Sequence, residues 1–152
     1  VFRKENKMKL TIKQMDLFKS KRKVLVHCIS QDCAMGAGIA KTFDKKFPNM
    51  RNALLYELSE NKIKYPVSIP YCEKDMVVIN MITKPRYFNK PTYSEFRKAL
   101  IEVKYICLMN GYKEIGMPKI GCGLDKLSWK KVEKMIREIF DDTDIDILVC
   151  WK

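Results

Sequence analysis

Histidine is nearly absent from this sequence: His27 is the only one in 152 residues. The six cysteines do not make up a metal-ligand set, because no CxxC pair occurs and Cys28 and Cys33 are separated by four residues. A resident metal is therefore not expected. No apolar run is long enough to cross a bilayer, and the basic opening VFRKENKMK lacks an apolar h-region, so neither a membrane partner nor a secretory leader is expected. Cys28, Cys107 and Cys150 sit inside apolar runs. That context points to reduced core thiols in an intracellular, reducing compartment, cytoplasmic or nuclear. Linkers, repeats and low-complexity segments are also missing. The expectation is a flexible basic tail over residues 1–9 and one domain over 10–152. Acidic residues are in deficit, 18 against 30 Lys and Arg, for a net charge of +12. Such a field attracts phosphates. Aromatic residues do not interleave with the charges as a single-strand groove requires. A solvated lysine-rich surface is thus the simpler reading, and nucleic acid stays open as a partner.

What is present is organised around residues 24–47. Val24, Leu25, Val26, Cys28 and Ile29 read as a buried strand. Gly36 and Gly38 follow, and Ile39, Ala40, Phe43 and Phe47 then share one helical face, with Lys41, Asp44, Lys45 and Lys46 opposite. A strand feeding a glycine loop that opens a helix lets backbone N–H groups approach a phosphate. From GAG alone, phosphate binding and an ordinary strand-to-helix turn remain equal readings. The dinucleotide fingerprint wants a third glycine where Lys41 stands, and GxxxxGK[ST] does not occur.

The remaining elements alternate. Residues 10–12 suggest a first strand, Pro48 ends the first helix, and 51–60 suggest a second. Residues 67–71 and 76–82 read as a hairpin turning at Glu73–Lys74–Asp75. Thr92 with Glu95 forms a capping box ahead of the Phe96, Ala99, Leu100, Val103 and Ile106 stripe, which Asn110–Gly111 ends. A short strand at 115–117 leads into a second glycine loop, 118–125. Ser128 is expected to cap a helix whose Val132, Met135, Ile136 and Ile139 face inward, and 145–150 is the last strand. This order predicts an α/β fold, a mixed sheet with helices on both faces, its two glycine loops meeting at the strands' carboxyl edge.

Four stretches in order, HCISQDCAMGAGIA (27–40), ITK (82–84), KPTY (90–93) and MPKIGCGLD (117–125), resemble a macro domain. The class is the terminal ADP-ribose protein glycohydrolases and O-acetyl-ADP-ribose deacetylases. The resemblance implies a three-layer α/β/α sandwich with a central mixed sheet. It implies ADP-ribose and ADP-ribosylated proteins as ligands, no cofactor, and a monomer, with poly-ADP-ribose or nucleic acid as further partners for the basic surface. Lys84 matches the catalytic nucleophile and Asp125 the catalytic carboxylate. Asp16 matches the acceptor for the adenine amino group, with Leu17 beside it, and Ser30 lies at a ligand-contacting strand end. Gly36, Ala37, Gly38 and Ile39 match the loop around the distal ribose. Lys119, Ile120, Gly121, Cys122, Gly123 and Leu124 match the diphosphate loop, with Cys122 a packing residue. Three positions depart from the pattern: Met15 where a glycine is usual, Pro85 where a basic residue is usual, and an aromatic at Trp151, displaced by one position.

The implied activity is removal of mono-ADP-ribose from Glu or Asp side chains, with deacylation of O-acetyl-ADP-ribose at the same site. Removal of ADP-ribose from DNA and a non-catalytic reader are the alternatives. A lysine nucleophile must lose its proton, so neighbouring charge matters. Arg86 and Lys119 are candidate cations favouring the free amine, and Asp125 would pull the other way.

Overall fold

The structure, a computed structural model, describes residues 7–152. Of the tail expected over 1–9, residues 1–6 lie outside the described residues, and Lys9 already opens the first strand. That strand, β1 (Lys9–Gln14), pairs in parallel with the last, β6 (Asp146–Trp151). Its sequence carries little hydrophobic signal because it is an edge strand exposed along most of its length, so residues 10–12 mark only its middle. After a single 3-10 turn (Leu17–Lys19) come β2 (Val24–Ser30), α1 (Gly38–Lys46), α2 (Met50–Glu60), β3 (Val67–Glu73) and β4 (Met76–Lys84). Then follow α3 (Tyr93–Asn110), β5 (Glu114–Met117) and α4 (Trp129–Phe140). The sheet order is β1-β6-β5-β2-β4-β3, with only β3 antiparallel to its neighbour.

Two cores sandwich the sheet, as the alternation of strands and helices requires. Phe43 from α1 and Met50, Leu54 and Leu58 from α2 pack on Leu25, Ile29, Val78 and Ile82. Phe96, Leu100 and Val103 from α3 and Val132, Ile136 and Phe140 from α4 pack on Val26, Ile79, Met81, Met117 and Val149. The result is the expected three-layer α/β/α sandwich with a mixed sheet. β2 and β4 are covered on both faces, which is why they read as near-continuous apolar runs.

The ends of α3 follow the sequence: Thr92 and Glu95 close the capping box, and Gly111 adopts φ +70 to end the helix. α4 differs. Ser128 holds the N-cap position, but its side chain makes no cap hydrogen bond; its N–H instead donates to Tyr93 Oη at 2.9 Å. The tie between the N-termini of α3 and α4 is a tertiary contact that a local capping rule does not see.

His27 and Cys28 point to opposite faces of β2, as strand alternation demands. His27 is fully buried and stacked on Phe43 at 3.9 Å between centroids. Asn80 spends its amide N–H groups on the Ile69 and Val78 carbonyls, at 3.2 and 3.3 Å, so its Oδ1 accepts from His27 Nε2–H at 2.7 Å. His27 is a structural imidazole rather than a ligand. Burial lowers its pKa to about 4, against the opposing pull of the Asn80 hydrogen bond. Between pH 6.5 and 4 the unfolded chain therefore binds a proton that the folded chain refuses, and stability falls as pH falls. We expect His27 to account for roughly 2–3 kcal/mol of stability lost between pH 7.5 and 4.5. Urea unfolding at the two pH values checks this, because His27→Gln should flatten that part of the profile. An unchanged slope in the variant would assign the loss to other groups.

Candidate functional site

Because β1, β6, β5, β2 and β4 are mutually parallel, all five deliver their carboxyl ends to one edge. Along that edge stand, in strand order, Asp16, Lys152, the 118–125 loop, Ser30 and Lys84. β2 and β5 are neighbours, yet the helices that follow them leave to opposite faces, α1 to one core and α4 to the other. That is a topological switch point, where an open α/β sheet leaves a crevice. The two glycine loops flank it and touch: a β-carbon on Gly38 would stand 3.7 Å from Leu124 Cδ1.

At the end of β2 the sheet holds a buried ion pair. Lys84 Nζ lies 2.5 Å from Asp125 Oδ1, and Lys84 is only 7% exposed. Lys84 ends β4 and Asp125 comes from the loop after β5, so the contact reaches across the end of β2. A bulge prepares this reach. Ile29 pairs with Ile82 but Ser30 pairs with Lys84, leaving Thr83 as an extra residue on β4, its buried Oγ1 without a partner among the described residues. The Lys84 carbonyl accepts from Gln31 N–H at 2.8 Å, which fixes the strand end against the first loop. Asp125, rather than Arg86 or Lys119, is the charge in contact with the Lys84 ammonium.

The surrounding loops are tied to one another by side chains. Asp32 is the main tie. It takes the Ser30 hydroxyl, the Ala34 N–H at 3.2 Å and, from the loop after β4, the Tyr87 N–H at 3.2 Å. Burial would raise its carboxyl, but these bonds and the nearby Arg86 charge outweigh that and hold it below the usual carboxylate range. Arg51 donates from Nε to the Cys33 carbonyl at 2.7 Å, anchoring the first loop to α2. Lys90 donates from Nζ to the Leu124 carbonyl, joining the loop after β4 to the second glycine loop.

Most of the expected site residues meet at this edge, though not all in the same way. Ser30, the last residue of β2, is buried with its hydroxyl on Asp32. Gly36, Ala37 and Gly38 are exposed, and Ala37 is an N-cap without a side-chain cap bond, so among the described residues the first-turn N–H groups of α1 have no side-chain acceptor. Gly38 has φ +62, a conformation that favours glycine. Ile39 is half-buried against the α1 and α2 core. Asp16 lies at the far end of the edge. Its carboxylate caps the 3-10 turn through Phe18 N–H at 3.0 Å and stands 3.6 Å from Lys152 Nζ; the first of these bonds, then Lys152, holds it below the usual range. Leu17 and Ile120 are core side chains. Gly123 and Leu124 are exposed at the loop tip.

Gly121 is dictated by geometry. It has φ +76, and a β-carbon there would stand 2.8 Å from Phe96 Cε1 and 2.9 Å from Leu127 Cδ1. Burial pushes the Cys122 thiol up to about 11, with Lys119 opposing and Asp125 reinforcing. A thiol protonated at neutral pH is a poor nucleophile. Cys28 is likewise pushed up by burial, and it lies within electrostatic reach of both Asp125 and Lys84.

Lys119 sits against two indoles, 4.9 Å from the Trp151 centroid and 5.8 Å from that of Trp129. The aromatic at Trp151 thus serves the second loop. Its neighbour Cys150 occupies the opposite face, in the core under Leu17. Asp32, Lys90, Trp129 and Trp151 were not among the residues expected from the sequence. Asp32 lies inside the motif HCISQDCAMGAGIA and Lys90 opens KPTY, Trp151 stands out only as a displaced aromatic, and Trp129 carries no local signal.

A groove of about 700 Å³ lies elsewhere, on the outer face of α4, lined by Lys130, Glu133, Lys134, Arg137, Glu138 and Asp141. Its charges are mixed, with Arg137 paired to Glu133 at 3.0 Å, and none of the edge residues reaches it.

The family model of the Macro domain matches residues 26–136. The ADP-ribose glycohydrolase OARD1 of Homo sapiens is 43% identical over 143 residues, covering 93% of this chain and 90% of that protein. The ADP-ribose glycohydrolase OARD1 of Bos taurus is 45% identical over 126 residues, covering 82% and 79%. In fold, the macrodomain of Mycobacterium tuberculosis DarG matches with a TM-score of 0.85 at 21% identity, over 94% of this chain and 97% of that one. The match spans both glycine loops and the strand that ends in Lys84, and with the six-stranded sheet between two helical layers it shows that this chain belongs to the macro domain family.

Proposed function

We propose that this chain is an ADP-ribosyl hydrolase that frees ADP-ribose from Glu and Asp side chains, using Lys84 as nucleophile. The observation that carries the proposal is the buried Lys84–Asp125 pair at the switch point, flanked by the two glycine loops. The order of groups along the edge supports it. Five strands at the usual spacing put roughly 19 Å between the ends of β1 and β4. Asp16 at one end suits the adenine amino group, the 119–124 loop in the middle suits the diphosphate, and Lys84 at the other end suits the distal ribose. The relatives' name, ADP-ribose glycohydrolase, agrees with this order.

The chemistry follows from the contact. In the resting pair the lysine is an ammonium held by a carboxylate, which cannot attack. Passing one proton from Lys84 to Asp125 leaves a free amine and a carboxylic acid side by side in a water-poor site. The amine then bonds to the anomeric carbon as that carbon's bond to the ester oxygen breaks, and the substrate carboxylate leaves with the electron pair. Asp125 returns its proton to the departing carboxylate and, again a carboxylate, takes one from the water that later replaces the lysine. ADP-ribose and regenerated Lys84 are the products. Asp125 thus both restrains the amine and accepts its proton.

The assay is release of ADP-ribose from a protein modified on Glu or Asp. Asp125→Asn keeps the shape but offers no carboxylate, and turnover should fall by about 10²–10⁴. Retained turnover in Asp125→Asn would remove the carboxylate from the mechanism. Binding of ADP-ribose by the wild type without release from any ester would leave the chain a reader. Release from ADP-ribosylated DNA but not from protein would transfer the same chemistry to the other substrate.

A further inference from the structure

The loop after Lys84 presents two aromatic side chains to solvent. Tyr87 and Phe88 are each 63% exposed, and their rings meet edge to face at 5.3 Å and 86°. Side by side, the two rings form a local apolar surface on this loop. The turn that carries them is well tied. Arg86 N–H donates to Asn89 Oδ1 and Asn89 N–H returns to the Arg86 carbonyl, both at 3.0 Å. Tyr87 N–H is held by Asp32, and Lys90 reaches the Leu124 carbonyl. The rings therefore stand on a backbone fixed at both flanks, so little ordering cost remains when something covers them.

Position says what covers them. Tyr87 and Phe88 are three and four residues beyond Lys84, within roughly 10–14 Å of its Cα even for an extended chain. In the reading above, the ester bond breaks at Lys84, with the nucleotide on one side of the bond and the modified polypeptide on the other. The nucleotide side is taken by the two glycine loops. The polypeptide must leave past the loop after β4, and three or four of its residues span the distance to the rings. Arg86, exposed beside them, adds a cation, and the chain carries a net charge of +12. Charge of this sign favours acidic sequence around the modified residue.

We propose that Tyr87 and Phe88, with Arg86, form the docking surface for the polypeptide side of the substrate, an acidic segment flanking the ADP-ribosylated Glu or Asp. The inference rests on the hydrolase reading for its geometry. It makes the pair a specificity determinant, which touches flanking residues and neither the nucleotide nor the reacting atoms.

The test separates the two. In a Lys84→Ala background, which holds ligand without consuming it, calorimetry is run with free ADP-ribose, with glutamyl-ADP-ribose, and with an acidic peptide ADP-ribosylated on Glu. The peptide should bind more tightly than glutamyl-ADP-ribose. Adding Tyr87→Ala with Phe88→Ala should remove about tenfold from peptide affinity and leave the other two ligands unchanged. With Lys84 intact, the same double change should raise KM for modified protein and spare kcat. Equal loss for all three ligands would overturn the proposal, because the rings would then be supporting the nucleotide loops. So would an unchanged peptide affinity, or a larger loss with an ADP-ribosylated single-stranded DNA than with the peptide. Should wild-type protein release nothing while the peptide preference still depends on the rings, the hydrolase reading fails and this one stands.

Discussion

Lys84→Arg is expected to fold, to bind ADP-ribose and to release it from modified carboxylates at least about a thousandfold more slowly than wild type. The substitution keeps a cation opposite Asp125, so the buried pair survives, but a guanidinium does not give up its proton and cannot attack. Lys84→Ala should be equally inactive with binding intact, because the loops at 36–39 and 119–124 supply the groups proposed to grip the nucleotide. It carries a second cost. Asp125 has a side chain only 10% exposed, and losing its partner leaves a carboxylate stranded. Removing one member of a buried pair costs about 3–5 kcal/mol where the site stays dry. The alanine leaves room for water, which lowers that figure. Comparing the two variants therefore separates loss of the nucleophile from loss of the ion pair. Single-turnover release with thermal unfolding on the same samples checks both. Turnover near wild type in Lys84→Arg would end the nucleophile assignment.

Gly121→Ala is expected to have the largest effect on stability of any single methyl added to the loops. Two costs add. A left-handed φ of +76 disfavours a side chain by about 1–2 kcal/mol. The new carbon also meets Phe96 and Leu127 at under 3.0 Å, and such overpacking costs about 1–3 kcal/mol. The neighbours cannot easily yield: Phe96 is fully buried in the α3 core, and Leu127 N–H is bonded to the Gly121 carbonyl at 2.8 Å. We expect a loss of about 2–5 kcal/mol in urea unfolding, and weaker ADP-ribose binding as the loop shifts. Gly123→Ala is the control, because a carbon there meets nothing within 4 Å. Its stability should change by no more than about 0.5 kcal/mol. Equal effects at the two glycines would refute the packing account.

The layers of the fold were readable because both periods in the sequence are strong. Leu25, His27 and Ile29 against Val24, Val26 and Cys28 give the two faces of β2, and the stripe from Phe96 to Val103 gives one face of α3. The edge strand β1 was readable only in part, since exposure removes the pattern that reveals a strand. The site was legible where residues act through type and local spacing, as at the glycine loops and, through the family resemblance, at Lys84 and Asp125. It was not legible where side chains act across the sheet. The bulge at Thr83 exists because β4 lies beside β2 in a register that shifts after Ile29. The Asp32 tie to Tyr87 joins residues 55 positions apart, and Lys119 meets Trp151 only because β5 and β6 are neighbours. Ser128 misled for the same reason, its partner being Tyr93 of another helix.

Trapping the covalent intermediate tests the central claim most directly. Modified protein is mixed with enzyme, quenched during turnover in the presence of a hydride reductant, digested, and read by mass spectrometry. The account requires an ADP-ribose adduct on the peptide containing Lys84, absent from Lys84→Arg. Steady turnover with Lys84 unmodified throughout would contradict it.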